Sequence, residues 1–428
     1  MRIIVHRYYR VLALALCGLP CSLLCAQGRF HVDSGPAALQ SPSARAAIVR
    51  ASNGTLYAIT VRPSGQLRLR RMKSDSTRFE TVDVEIADGS SGVTSERPTN
   101  GAILAIDSRG ILHVVWSRYH YPDFFEQYYR RLDPVTRAMS AIVKTSHLGR
   151  GNCNRSEAMS IAVGPDDTVY IAAPSTGFWQ ARLLKVQAGA ISGVPAITDV
   201  GRFTENGSAQ LPALAVDAEG RVHCAYFSNL GGKLDHVYWD PKGGGGWYPR
   251  THGKREPLRI AGSATRTLFG PALASDSTGR VHTSFVTRAS DSEVRLHYTF
   301  WSPESLRWQD AVDLGSSKCP EAHQPFLHHT LAVTANGQRV FVVDRAFVDP
   351  REERDHGLVV RELSKNAQRP ESFLEHSSED AARYRRIHAR YALFPESMRM
   401  HGSLDLIYAI PRQEGAEGMR LWRQPIDS

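Results

Sequence analysis

At 428 residues, 42% hydrophobic and 22% charged, the chain has room for two or three ordinary domains or for one large repeat array. Its formal net charge of +9 suggests acidic glycans or cell-surface polymers as partners more than nucleic acid. No CxxC or HExxH spacing occurs, so the sequence makes no case for a dedicated metal cage or another cofactor site.

Arg2, Arg7 and Arg10 precede the apolar run 11–24, and Leu24-Cys25-Ala26 places a small residue before Gln27. About 14 apolar residues are too few to cross a bilayer, so residues 1–26 read as a secretory signal peptide, with no membrane span, and 27–428 as a single domain. The expected location is secreted or periplasmic, with a lipoprotein anchor through Cys25 as the alternative. Cleavage lowers the net charge from +9 to +6. It also leaves Cys153, Cys224 and Cys319, an odd number that permits at most one disulfide in a monomer, the expected state. Cys224 falls in an apolar strand, which makes Cys153 with Cys319 the expected pair.

Short apolar runs then meet Gly-centred turns in a recurring pattern. Three copies are Gly101-Ala-Ile-Leu-Ala-Ile-Asp-Ser-Arg-Gly-Ile-Leu-His-Val-Val-Trp116, Pro212-Ala-Leu-Ala-Val-Asp-Ala-Glu-Gly-Arg-Val-His-Cys-Ala-Tyr226 and Pro271-Ala-Leu-Ala-Ser-Asp-Ser-Thr-Gly-Arg-Val-His-Thr-Ser-Phe285. Aligning the turns gives Gly54, Gly110, Asp167, Gly220, Gly279, Gly337 and Gly402, at offsets of 56, 57, 53, 59, 58 and 65 residues. That period is near the length of a four-stranded blade, and it predicts an all-β fold, a seven-bladed β-propeller. Third strands are expected at 67–72, 125–132, 181–186, 234–239, 294–301, 358–363 and 419–422, with fainter fourth strands such as 81–86 and 308–314. The chain ends soon after Trp422, so the extended residues 30–33 are expected to complete the last blade and remove two exposed edges. Residues 379–390 carry some helical character and form an expected insertion. Residues 243–246 read as a flexible loop, because no Lys-Ser/Thr and no helix follow them.

The Ala-x-Asp-x-x-Gly-x-x-His-x-x-(Trp/Tyr/Phe) units resemble the BNR-repeat, sialidase-like superfamily of propellers. Ser-x-Asp-x-Gly-x-Thr-Trp boxes and a Phe-Arg-Ile-Pro motif, as in sialidases, are absent. Arg97-Pro-Thr-Asn100-Gly, followed by His113-Val-Val-Trp116-Ser-Arg118-Tyr-His120-Tyr121-Pro, looks more like the BNR propellers allied to ulvan-type lyases. That likeness implies cleavage of acidic polysaccharides by β-elimination.

In a propeller, residues just before first strands and just after second strands share one face. There the sequence places Asn100, Arg118, Tyr119, His120, Tyr121, Arg266, Arg288, His323, His328 and Arg345. Arg pairs bidentately with carboxylate or sulfate. His120 or Tyr121 would remove the proton beside a uronate carboxylate neutralised by Arg118. Asn100, Arg266, Arg288, His323, His328 and Arg345 would hold the polymer. The alternative role for His120, His323 and His328 is to hold a divalent ion. A sialidase-type hydrolase and a non-catalytic glycan-binding or protein-binding propeller are the other functions considered. Scarcity of carboxylates on this face argues against hydrolysis. His113, His223 and His282 recur at one place in three repeats, and Asp107, Asp217 and Asp276 recur in turns. A single active site has no use for such recurrence, so they are expected to pack and bridge strands.

Overall fold

A computed structural model describes residues 28–33, 48–61, 67–76, 78–87, 99–120, 124–145, 159–174, 180–205, 209–228, 233–252, 254–255, 257–260, 266–267, 271–290, 293–318, 329–334, 336–347, 356–364, 371–375, 392–393, 403–410 and 418–425. The expected signal peptide, the helical insertion, Gly402, Cys153 and Cys319 lie outside them.

The fold is an all-β propeller. Among the described residues, six blades are each cut from one continuous stretch of chain. Blade 1 comprises Ile48–Arg50, Leu56–Val61, Leu67–Met72 and Glu80–Val82. Blade 2 comprises Thr99–Ile106, Leu112–His120, Phe124–Leu132 and Val143–Lys144. Blade 3 is Ser160–Val163, Val169–Pro174, Ala181–Val186 and Ile197–Arg202. Blade 6 is Thr330–Val333, Arg339–Phe347, His356–Ser364 and Glu371–Glu375.

Blades 4 and 5 carry more strands. In blade 4, Gln210–Val216, Val222–Ser228 and Lys233–Asp240 are followed by an outer lane split between Gly246–Tyr248 and Leu258–Arg259. In blade 5, Arg266–Thr267 and Ala272–Ser275 both pair with Val281–Ser290. Arg307–Trp308 and Val312–Lys318 both pair with Glu293–Ser302.

The expectation of seven four-stranded blades is therefore corrected. Six blades come from consecutive strands, and their sheets hold four, five or six strands. The ends of the chain form a separate composite sheet, in which Gly28–Asp33 pairs with Gly418–Pro425 beside Ser403–Ile410 and Ala392–Leu393. A period counts turns, so it is blind to how a lane divides between two short strands.

Each inner turn is built as the pattern requires. Gly54, Gly110, Gly220, Gly279 and Gly337 have φ between +66° and +86°, and Asp167 takes the same role at +62°. Gly337 has a second constraint: a Cβ there would sit 2.0 Å from Asp276 Oδ2 of the preceding blade, a space that admits only hydrogen. Second strands are buried on both faces. Val114 and Trp116 face blade 1, whereas Val115 faces blade 3, as expected of strands sandwiched between neighbouring sheets.

The recurring Asp and His form buried relays. Asp276 Oδ1 accepts the backbone N–H groups of Thr278 and Arg280 at 2.9 and 3.0 Å, while its Oδ2 meets His282 Nε2 at 3.1 Å. Nδ1 of His282 meets the Tyr298 hydroxyl at 2.7 Å. Blade 2 repeats the arrangement with His113 between Asp107 and Tyr129, and blade 4 with His223 between Asp217 and His236. These histidines bridge turn to strands, as their recurrence suggests. Burial raises the Asp107 carboxyl, but hydrogen bonds from His113, Arg109 and Ile111 outweigh it and hold the group at about 2.

Polar bonds register successive blades. Arg130 donates to Glu85 O, Gln127 to Ala172 O, Leu214 N–H to Ser160 Oγ, Ser275 Oγ–H to Val216 O, and His329 Nε2 to Ser284 O. Each satisfies a polar group that packing would otherwise strand between sheets.

Candidate polysaccharide-binding face

The second strand of each blade climbs from its turn to the opposite face. Arg118 and Arg345 both stand eight residues past their turn glycine, and Arg288 stands nine past Gly279. The backbone thus carries three of the expected arginines to equivalent heights in blades 2, 5 and 6.

Arg118 is not open to a ligand. It is only 5% exposed and faces blade 1 on the same side of its strand as Trp116. Its guanidinium bonds the Glu126 carboxylate directly across the hairpin and donates to the Tyr128 hydroxyl at 2.8 Å. Tyr128 in turn donates to Glu126 at 2.5 Å, and Lys144 reaches the other carboxylate oxygen at 2.8 Å. Burial raises the Glu126 carboxyl, yet Lys144, Tyr128 and Arg118 together hold it at about 2. The cluster is a locked charge network that fixes the end of the strand bearing His120.

Glu126→Gln weakens each of these bonds and leaves Arg118 buried beside a neutral partner. The expected loss is about 2–3 kcal/mol at neutral pH, measured by urea unfolding. A folded-state pKa below the ordinary carboxylate value means that this stability is complete above about pH 4.5 and disappears as pH falls toward 2. The variant should therefore unfold in acid with a shallower pH dependence than the parent. A parallel dependence would show that the network is inert.

Other expected residues are positioned by backbone. Asn100 lies in Thr99–Ile106 and His120 closes Leu112–His120 opposite Phe124. Arg266 is the direct cross-strand partner of Arg288, and Arg345 pairs with Leu358. The side chains of Asn100, His120, Arg266 and Arg345 lie outside the described set, as do Tyr121, His323 and His328 entirely.

Arg288 is half-buried at this edge, so blade 5 presents a basic position at the rim.

Sequence reasoning missed Asp235. It sits near the start of Lys233–Asp240, at the same end of blade 4, opposite Tyr226. Burial pushes its carboxyl up, only partly offset by Arg259 at 3.6 Å. The signal available was its place as third residue of a third strand, which Glu126 occupies in blade 2. Among the described residues, no cluster of three or more His, Cys, Asp or Glu is placed to hold a metal ion, and no helix is long and apolar enough to cross a membrane.

No protein-family model matches the sequence, so the BNR assignment has no support from that comparison. No curated protein matches it either. Solved structures do. The polysaccharide lyase Uly1 superposes with a TM-score of 0.57 at 11% identity, covering 94% of this chain and 99% of that one. An ulvan lyase of polysaccharide lyase family PL25 superposes with a TM-score of 0.58 at 10% identity, covering 92% and 95%. The PL25 ulvan lyase bound to -[GlcA(1-4)Rha3S]- gives 0.57 at 9%, with the same coverage. At these identities the likeness establishes a shared propeller fold.

Proposed function

We propose that this chain is a secreted propeller that binds an acidic polysaccharide across its basic face and cleaves it by β-elimination at a uronate. The observation that carries the reading is the strand register that brings Arg266, Arg288 and Arg345 to the same end of their blades. Two polysaccharide lyases share the fold, one of them bound to a glucuronate-containing fragment, and this supports the substrate class.

Because Arg118 is held by Glu126, we assign neutralisation of the uronate carboxylate to the rim arginines Arg266, Arg288 and Arg345, with Asn100, His323 and His328 along the polymer. Neutralisation acidifies the carbon-bound proton beside the carboxylate. His120 or Tyr121 removes that proton, the bond from the neighbouring carbon to the glycosidic oxygen breaks, and a donor protonates the departing oxygen. The electron pair of the C–H bond becomes a double bond conjugated with the carboxylate.

That chromophore is the test. Incubation with a panel of uronate polysaccharides should raise absorbance near about 235 nm for at least one member. New reducing ends without absorbance would replace elimination by hydrolysis, and binding without any new ends would leave a lectin-like propeller.

A further inference from the structure

The three Asp-His relays share one register and differ in their third member, with the Asp107–His113 contact of blade 2 longer, at 3.5 Å, than the 3.1 Å of blades 4 and 5. Tyr129, His236 and Tyr298 occupy the same register position, opposite Val115, Ala225 and Ser284. In blades 2 and 5 a hydroxyl ends the relay; in blade 4 a second imidazole does. His223 and His236 are both fully buried, with Nδ1 of the first 3.0 Å from Nε2 of the second and their rings stacked at 5.2 Å.

Proton counting fixes the arrangement. Asp217 is ionised, held below the ordinary range because hydrogen bonds and charge from His223 and Arg221 outweigh burial. It therefore takes the Nε2 proton of His223, which leaves Nδ1 of a neutral His223 as an acceptor. His236 must donate from Nε2, and its own Nδ1 is left as a buried lone pair with no hydrogen-bond partner. A tyrosine at this position has no such site.

The surroundings offer little to a second charge. Trp301 and Trp308 of blade 5 pack on the two imidazoles at 4.7 and 5.1 Å. Tyr238 stacks on His223 and on Tyr248. Arg221 lies over the Trp301 ring at 5.1 Å and already bonds Asp217. Asp235, next along the strand, lies on the alternate face with Arg259. Burial pushes the imidazole of His236 well below its ordinary value, with His223 adding to the effect.

We propose that the His223–His236 pair is a proton-binding site in the seam between blades 4 and 5, which loosens that seam as the medium acidifies. The proton enters at Nδ1 of His236. The shared hydrogen can then pass to His223, bringing the charge toward Asp217, while the cation remains buried where the surrounding rings return only part of the hydration it loses. Stability from this pair is present above the unfolded imidazole value and is lost as pH falls below about 6.5.

His236→Tyr recreates the relay of the other two blades and is the variant of choice. Urea unfolding of the full chain between pH 6 and pH 5 should show the parent taking up about one proton more than the variant, up to a tenfold steeper rise in the unfolding constant per pH unit. Equal proton uptake would overturn the proposal. Should the variant fail to fold, hydrogen exchange of the parent decides. Peptides covering 222–240 and 293–309 should lose protection at pH 5.5 relative to pH 7.5, after correction for intrinsic rates, while 112–132 does not. A uniform change across all three would overturn it equally.

Discussion

Replacing His120 with alanine should lower turnover of a uronate polysaccharide by at least about a hundredfold while leaving the urea midpoint unchanged. General bases contribute roughly 10²–10⁴ to rate. His120 stands at the rim end of Leu112–His120, two residues beyond Arg118, whose bonds to Glu126 and Tyr128 fix the strand beneath it. Tyr121→Phe provides the companion measurement, because a base role for the phenol would move the loss to that variant. Turnover within about threefold of the parent in both would shift the proton-abstracting role away from this loop, toward His323 or His328.

Asp276→Ala should cost about 3–5 kcal/mol, the second large effect. Its carboxylate is completely buried and receives Thr278, Arg280 and His282, so truncation strands several donors at once. It also empties the space against Gly337 of blade 6, coupling the loss to the blade seam. Asp75→Ala, at an exposed turn, is the control and should remain within about 0.5 kcal/mol of the parent. A loss below about 1 kcal/mol at Asp276 would show that the relays are decorative.

The relays were half legible. Recurrence of Asp and His at fixed distance from each Gly pointed to bridging, but the terminal partners, 16 residues past His113 and His282, declare themselves only once strand register is known. Third strands were easy: Ala181–Val186 and Leu67–Met72 have the expected bounds, because buried apolar residues such as Leu67, Leu69, Leu183 and Val186 recur along them between partly exposed arginines and lysine. Outer strands were poorly placed. The expected strand at 81–86 is Glu80–Val82, and that at 308–314 divides into Arg307–Trp308 and Val312–Lys318. Their exposed faces carry little pattern, and Gly315 at φ +123° marks an irregularity that composition does not date. The pairing of Arg118 with Glu126 was missed for another reason. In the sequence Arg reads as a ligand for substrate, whereas the register of Leu112–His120 against Phe124–Leu132 puts the two residues face to face.

The proposed elimination is a claim that product analysis answers most directly. Mass spectrometry of the chain ends released from a uronate polysaccharide should show a new nonreducing end lighter by one water than the hydrolysis product, with no label incorporated from heavy-oxygen water. Saturated nonreducing ends, with the label at the new reducing ends, would contradict elimination at this propeller.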